Sequence, residues 1–373
     1  MMDALYMLRQ QILPFWMGLK DPSGGFYGEA DGRGLIHPGA DRGAVLNARI
    51  LWTFSAAYRA LGDPAYAEQA KWALDYFLDK FVDGKDGGVY WCLDAAGRPV
   101  DDKKQLYAQA FAIYGLSEAF LALGEERALQ AAIALFGIIE RNFRDGHNGG
   151  YTEALSCRFR PLQDMSLSEK DINADKTMNS HLHLMEAYAA LYRAWPDAGL
   201  GMALRELIGI LGTKMTGEDG HLRLYFGRDW SVLPGPVSCG HDIETSWLLL
   251  ECVSILGDKM LLREILPLSL RLGRAGNIDL RPDGSLPGEW WTYAETVVGN
   301  LYLHLFHREP GAWDNVLRCW GYLTEHLVDR KHGDWYWGML PDGTPDTHSP
   351  KAGFWKCPYH NARMCLEILS HPV

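Results

Sequence analysis

Apolar residues recur at i, i+3, i+4 and i+7 in about twelve segments, the spacing of a helix with one buried face. The segments run roughly Asp3–Met17, Gly43–Leu61, Pro64–Phe81, Asp102–Leu123, Glu125–Phe143 and Ala174–Trp195 in the first half. Gly201–Met215, His241–Leu256, Asp258–Leu272, Gly288–Phe306, Ala312–Asp329 and Pro358–Leu369 follow in the second. Asp63-Pro64 and Cys357-Pro358 put proline near a first turn, where its missing N–H costs nothing. Short links (Gly62-Asp63, Gly124, Pro196-Asp197, Gly257) alternate with long ones that begin near Gly24, Gly87, Gly149, Asp219, Arg281 and Gly333. Most long links join a glycine pair or an Asp-Gly turn to alternating aromatic and polar residues, the pattern of a short hairpin. The chain therefore reads as a repeat of about sixty residues: long hairpin loop, helix, tight turn, helix.

Six helix pairs with every long loop at the same end predict an all-α fold, a closed (α/α)6 barrel forming one catalytic domain over residues 1–373. Closure buries both faces of the inner helices and removes the need for the capping repeats of an open solenoid. In that ring each helix after a long loop starts at the loop-bearing mouth. Those starts carry Arg49; Tyr107, Gln109 and Phe111; Asn179, His181 and His183; His241 and Glu244; Trp290, Trp291 and Glu295; and Trp355, His360, Asn361 and Arg363. Polar groups on apolar helices are costly unless paired, so one or more on each of six inner helices suits a ligand cavity better than a core.

The stretch Ser238–Trp247, SCGHDIETSW, sets His241 and Glu244 three residues apart on one side of a helix start. A neutral imidazole beside a carboxylate is the equipment of a general acid or base near pH 7. Taken alone, a helix cap by Asp242 or Ser238, supported by Glu244, is the better explanation of the stretch. His181 and His183 are two apart and cannot share a face; His183 follows Asn179 by four, so it faces the cavity and His181 the packing. Adjacent Trp290 and Trp291 point in different directions, one to the core and one to a stacking surface. No HxH pair on one strand or HExxH on a helix occurs and the candidates come from different helices, so spacing neither supports nor excludes a metal, and none is expected.

Bulk properties narrow the partners. The net charge is −11 without a Lys/Arg cluster, which argues against nucleic acid and anionic membranes. No window approaches the uninterrupted apolar length of a membrane span. Seven cysteines, with no CxxC pair, suit reduced thiols in a cytoplasm. The 14 Trp and 17 Tyr supply faces that could stack on sugars.

The blocks RILWTFSAAYR, KQLYAQAFAIYGLSEA, KTMNSHLHLMEAY, GHDIETSWLL, EWWTYAE and FWKCPYHN, in this order, resemble the N-acylglucosamine 2-epimerase superfamily in its cellobiose 2-epimerase branch. The resemblance implies an (α/α)6 barrel that inverts C2 of a reducing-end sugar without metal or redox cofactor, as a monomer or weak homodimer. It implies His241 and His360 as the acid/base pair. Arg49, Tyr107, Asn179, His183 and Glu244 would bind or polarise the sugar. Trp291 and Trp355 would be aromatic platforms, with Trp290 as companion and Asp171 as a further substrate-contacting acid. Two bases near neutral pKa on opposite faces of C2 suit removal and return of its proton through an enediolate, whose oxygen the permanent charge of Arg49 could hold. The competing readings are an epimerase of free mannose, glucose or N-acetylglucosamine, an (α/α)6 glycoside hydrolase pairing Glu244 with Asp171 or Glu295, and a non-catalytic sugar-binding toroid.

Overall fold

A computed structural model describes residues 3–371. In chain order the elements are α1 (Ala4–Tyr6), α2 (Leu13–Gly18), β1 (Arg42–Gly43), α3 (Ala44–Leu61), α4 (Pro64–Tyr76), β2 (Cys92–Leu93), β3 (Pro99–Asp101), β4 (Lys104–Gln105), α5 (Leu106–Leu123) and α6 (Glu126–Asn142). There follow β5 (Ala154–Leu155), β6 (Lys176–Thr177), α7 (Met178–Ala194), α8 (Ala198–Ile210), β7 (Tyr225–Phe226), α9 (Cys239–Leu256), α10 (Lys259–Gly276), α11 (Trp290–Tyr302), α12 (Ala312–Tyr322) and α13 (Tyr359–Ser370). The fold class is all-α, as the periodicity predicts. Two compact units divide it: residues 41–237 with 252–259, and the described parts of 1–40, 238–251 and 260–373.

In the first of these units α3, α5 and α7 pack side by side, with α4, α6 and α8 each against its preceding helix. Burial separates the two kinds of helix. Every residue of α3 from Ala44 to Ala57 and of α5 from Leu106 to Ala119 is buried, whereas α6 buries only Ala128, Leu129, Ala132, Leu135 and Ile139, one stripe at helical spacing. The inner helices approach at backbone distance: a Cβ on Gly115 of α5 would stand 2.6 Å from the Ala48 carbonyl of α3. One finding departs from the sequence expectation. Leu106–Leu123 has a mean hydropathy of 1.3 and is long and apolar enough to cross a membrane; 78% of it is buried inside the protein, as befits an inner helix.

Turn chemistry sets the hairpins. Gly62 and Gly124, at φ 68° and 69°, end α3 and α5 in the left-handed conformation glycine tolerates. Asp63 and Asp197 then cap α4 and α8 through backbone N–H groups. Five of the six long loops contain paired hairpin residues, such as Ala30↔Ile36, Leu155↔Pro161, Phe226↔Val232 and Met339↔Pro345. The fifth corrects the expected repeat: at Arg281 the chain makes only a tight turn closed by Ser285, because its loop is too short for two strands.

Each strand that leads into an inner helix pairs with the following long loop: β1 with β2, β4 with β5 and β6 with β7. In the other unit, Glu289 before α11 pairs with Gly338, and Ala352 before α13 pairs with Ala30 of the first loop. A buried lysine locks three of these lead-ins to the preceding loop. Lys104 Nζ donates to Asp83 at 2.8 Å, Lys176 to Asp145 at 3.0 Å and Lys351 to Asp329 at 2.6 Å. Each ammonium also lies over an aromatic ring, Tyr90, Trp230 and Tyr336 respectively. In the second unit α11 packs against α12 and α13, and Ile243 of α9 fills the surfaces left by Gly276 of α10 and Gly299 of α11.

Candidate active site

Three helix starts of the second unit bring together residues that the sequence reading took from three separate motifs. His241 lies in the first turn of α9, Trp291 at the second position of α11 and His360 at the second position of α13. The indole of Trp291 touches both imidazoles, its centroid 4.8 Å from that of His241 and 5.7 Å from that of His360. His241 is half-buried, and its Nδ1 is 2.7 Å from Ser238 Oγ. Ser238 is thus tied to the histidine side chain.

His360 is 6% exposed, and its Nδ1 lies 2.7 Å from Glu295 Oε1. A carboxylate only accepts, so Nδ1 carries the proton and the neutral ring keeps its lone pair on Nε2. Arg363, one turn further along α13, donates through Nη2 to Glu295 at 2.7 Å and to Glu244 at 2.8 Å. Trp247 Nε1 donates to the other Glu295 oxygen at 2.9 Å. Glu244 sits 3.9 Å from His360 Nδ1, so the geometry groups it with His360 and Arg363. Glu244, Glu295 and His360 also offer ligand atoms within 4.8 Å of one another. Arg363 already supplies a cation there, donating to Oε1 of both carboxylates, and it would repel an ion.

The tryptophan pair divides cleanly. Trp290 is 2% exposed, packs edge-on against Trp337 at 4.6 Å and carries Lys356 Nζ 4.9 Å above its ring. Closed in on both sides, it supports the fold beneath Trp291. Trp355 precedes α13, half-buried, with its ring against Phe354.

The other unit holds a second cluster. Arg49 of α3 donates through Nη2 to the Tyr107 hydroxyl of α5 at 2.9 Å, and its guanidinium lies 4.0 Å from the Phe111 ring centroid. His183 of α7 packs on Tyr107 and Phe111, with ring centroids 5.2 and 4.8 Å away. Its Nδ1 is 2.9 Å from Glu186, the same carboxylate-on-Nδ1 arrangement as at His360. Asn179, one turn before His183, presents a buried Oδ1 that has no hydrogen-bond partner among the described residues. An acceptor left in that state suits a ligand hydroxyl. His181 separates from this group as its spacing predicts. Its Nδ1 donates to the Thr177 carbonyl at 2.7 Å, its Nε2 accepts from Tyr151 N at 3.0 Å, and burial drives its pKa down to about 4. Asp171 is half-buried in the loop before α7, accepting from Tyr225 Oη at 2.7 Å and from Ser168 Oγ at 2.5 Å.

The sequence places Glu295 and Arg363 among the polar helix-start residues of a cavity, but offers Glu295 a chemical role only as a hydrolase carboxylate and Arg363 none. The signal was present: Glu295 is four residues after Trp291, and Arg363 three after His360, so each shares its neighbour's helix face.

Comparison with known proteins agrees with these motifs. Residues 25–363 match the N-acylglucosamine 2-epimerase (GlcNAc 2-epimerase) family. A cellobiose 2-epimerase of Bacteroides fragilis is 47% identical, covering 97% of this chain and 96% of the relative. A cellobiose 2-epimerase of Ruminococcus albus is 35% identical over 98% of this chain and 97% of its own. The structure of cellobiose 2-epimerase from Bacillus thermoamylovorans superposes with a TM-score of 0.94 at 34% identity, covering 99% of this chain and 98% of that one. With its motifs, its helical hairpins and its full length shared, the chain belongs to the N-acylglucosamine 2-epimerase family.

Proposed function

We propose that the protein inverts C2 of the reducing-end glucose of β-1,4-linked disaccharides, converting cellobiose to glucosyl-mannose and lactose to epilactose. The observation that carries the reading is the pair of imidazoles against one indole, His241 and His360 on Trp291. In the open-chain aldose the aldehyde acidifies the C2 proton. One imidazole Nε2 takes that proton, the C2–H electron pair becomes the enediolate, and the other imidazolium returns a proton to the opposite face. Glu295 holds the tautomer of His360, and Arg363 fixes Glu295 and Glu244. Arg49, Tyr107, Asn179, His183 and Asp171 are assigned to the sugar hydroxyls and the developing oxyanion, and Trp291 and Trp355 to its apolar faces.

This reading includes one closed six-hairpin ring acting as a single catalytic domain. It also includes a cytoplasmic location, which five buried thiols support. A hydrolase using Glu244 and Glu295 fits poorly, because both carboxylates accept from the same guanidinium nitrogen, which leaves neither free to act alone on a glycosidic bond. Incubation with cellobiose in D2O, followed by NMR, tests the proposal. Deuterium at C2 together with a mannose-type reducing end is expected. No uptake from cellobiose, lactose, mannose or N-acetylglucosamine would overturn it, and release of monosaccharides would favour the hydrolase.

A further inference from the structure

Glu153 lies in the third long loop, immediately before β5, and its side chain is fully buried. Among the described residues no cation pairs with it. Its partners are instead neutral donors from two helix starts. Ser180 Oγ donates to Oε1 at 2.5 Å and Thr177 Oγ1 to Oε2 at 2.8 Å, while Gln105 Nε2 approaches Oε1 at 3.4 Å. The main chain joins the same elements: Leu106 N donates to the Glu153 carbonyl at 2.9 Å, and Glu153 N donates to Asp175 at 3.0 Å. Gln105 also reaches the Met165 carbonyl in the loop that carries Asp171.

These donors flank residues of the second cluster. Gln105 is two before Tyr107; Thr177 and Ser180 bracket Asn179 and precede His183. Thr177 is the N-cap of α7, and its Oγ1 accepts from Ser180 N at 3.1 Å. By giving its own proton to Glu153, the hydroxyl turns a lone pair toward that N–H. A negative charge at this helix end is further favoured by the dipole.

Such a carboxylate is costly to bury. Burial first, and the neighbouring Asp171 charge, push the Glu153 pKa up to about 7 against the pull of its three donors. The nearby lysine gives no relief, because Lys176 is turned to Asp145. An apolar side chain would fill the volume at lower cost. What it could not do is hold two hydroxyls and an amide in fixed directions.

We propose that Glu153 is a positioning residue, a buried carboxylate that sets the first turn of α7, and with it Asn179 and His183, against the start of α5 that carries Tyr107. The inference rests on the sugar-binding role proposed for those three. Glu153→Gln keeps the shape but has a single acceptor oxygen, so one hydroxyl must turn to accept from the amide. In the full-length enzyme E153Q is expected to raise KM for cellobiose about tenfold, the scale of one hydrogen bond to a charged group, with kcat within about threefold of wild type. Amide hydrogen exchange across Met178–Ser180 is expected to quicken. Thr177→Val should reproduce the rise in KM and Thr177→Ser should reverse it, and this pair carries the test if E153Q does not fold. Folded E153Q and T177V with wild-type KM would overturn the proposal. If wild type exchanges no C2 proton, the epimerase reading fails by itself. In that case unchanged amide exchange in E153Q would still overturn the positioning role, and quickened exchange would support it.

Discussion

Replacing Glu295 with glutamine preserves the outline of a side chain that three donors surround and removes its charge. His360 Nδ1 and Arg363 Nη2 both meet Oε1 at 2.7 Å, and Trp247 Nε1 meets Oε2 at 2.9 Å. The amide has one acceptor oxygen and one NH2 group, so it can satisfy only one side. With its oxygen toward His360 and Arg363, its NH2 opposes the Trp247 N–H, and a hydrogen bond to a charged group worth about 1.5–3 kcal/mol is lost. With the amide flipped, its NH2 faces His360 Nδ1. The ring must then place its proton on Nε2 and lose the lone pair that takes the C2 proton. Loss of a general base costs about 10²–10⁴ in rate. E295Q is therefore expected to lower kcat/KM for C2 exchange on the order of 10²–10³-fold. Arg363 is left with Glu244 alone, and breaking part of a buried ion cluster should cost about 3 kcal/mol of stability. The assay is deuterium incorporation at C2 from D2O, run well below both unfolding midpoints so that the folded fractions match. A variant within about threefold of wild type, folded and with unchanged kcat, would refute the assignment of His360 as a base oriented by Glu295.

The two neighbouring tryptophans should fail in different ways. Trp291→Ala is expected to raise KM with little loss of stability, whereas Trp290→Ala opens a cavity against Trp337 and should cost about 3–5 kcal/mol in a denaturant titration while leaving KM of the folded enzyme near normal. Equal effects of both on KM would contradict their separation. The pH dependence of stability should carry two opposing contributions. Asp83, Asp145 and Asp329 are raised by burial but held lower overall by their buried lysines and by loop N–H groups. Their folded pKa values lie below the unfolded ones, so their contribution is present above roughly pH 4 and is lost as pH falls through the folded values. Glu153 has the reverse sign: its folded pKa of about 7 lies above the unfolded value, so its contribution is full below about pH 4.5 and lost as pH rises through 7. Urea unfolding from pH 3 to 8 should show Lys176→Met losing more stability at pH 7 than at pH 3, and E153Q should remove the decline between pH 4.5 and 7.

What could be read in advance followed from periodicity, and what could not depended on contacts between segments distant in sequence. Helix spacing alone separated His181 from His183, and their surroundings differ as that spacing requires: backbone partners for one, Tyr107, Phe111 and Glu186 for the other. Trp290 and Trp291 are a harder case, since neighbours on a helix differ by about 100° and either could face inward. Trp290 is the one turned inward, against Trp337, a residue of the sixth long loop that no pattern in EWWTYAE announces. The partner of Glu244 was open for the same reason. Three residues from His241 on one helix, it is nonetheless drawn to Arg363 on α13, because a buried carboxylate goes where a guanidinium can neutralise it. Buried charge has the same logic throughout this chain. Lys104 and Lys176 stand two residues before α5 and α7, and Lys351 stands in the segment leading to α13; each answers an aspartate one loop earlier, so these three helix starts are held by ion pairs set outside the helices themselves. At those three starts the polar residues can therefore be selected for chemistry, because the lead-in segments already fix where the helix begins. Glu153 departs from that division: among the described residues no cation pairs with it, and it is bound to two hydroxyls on either side of Asn179.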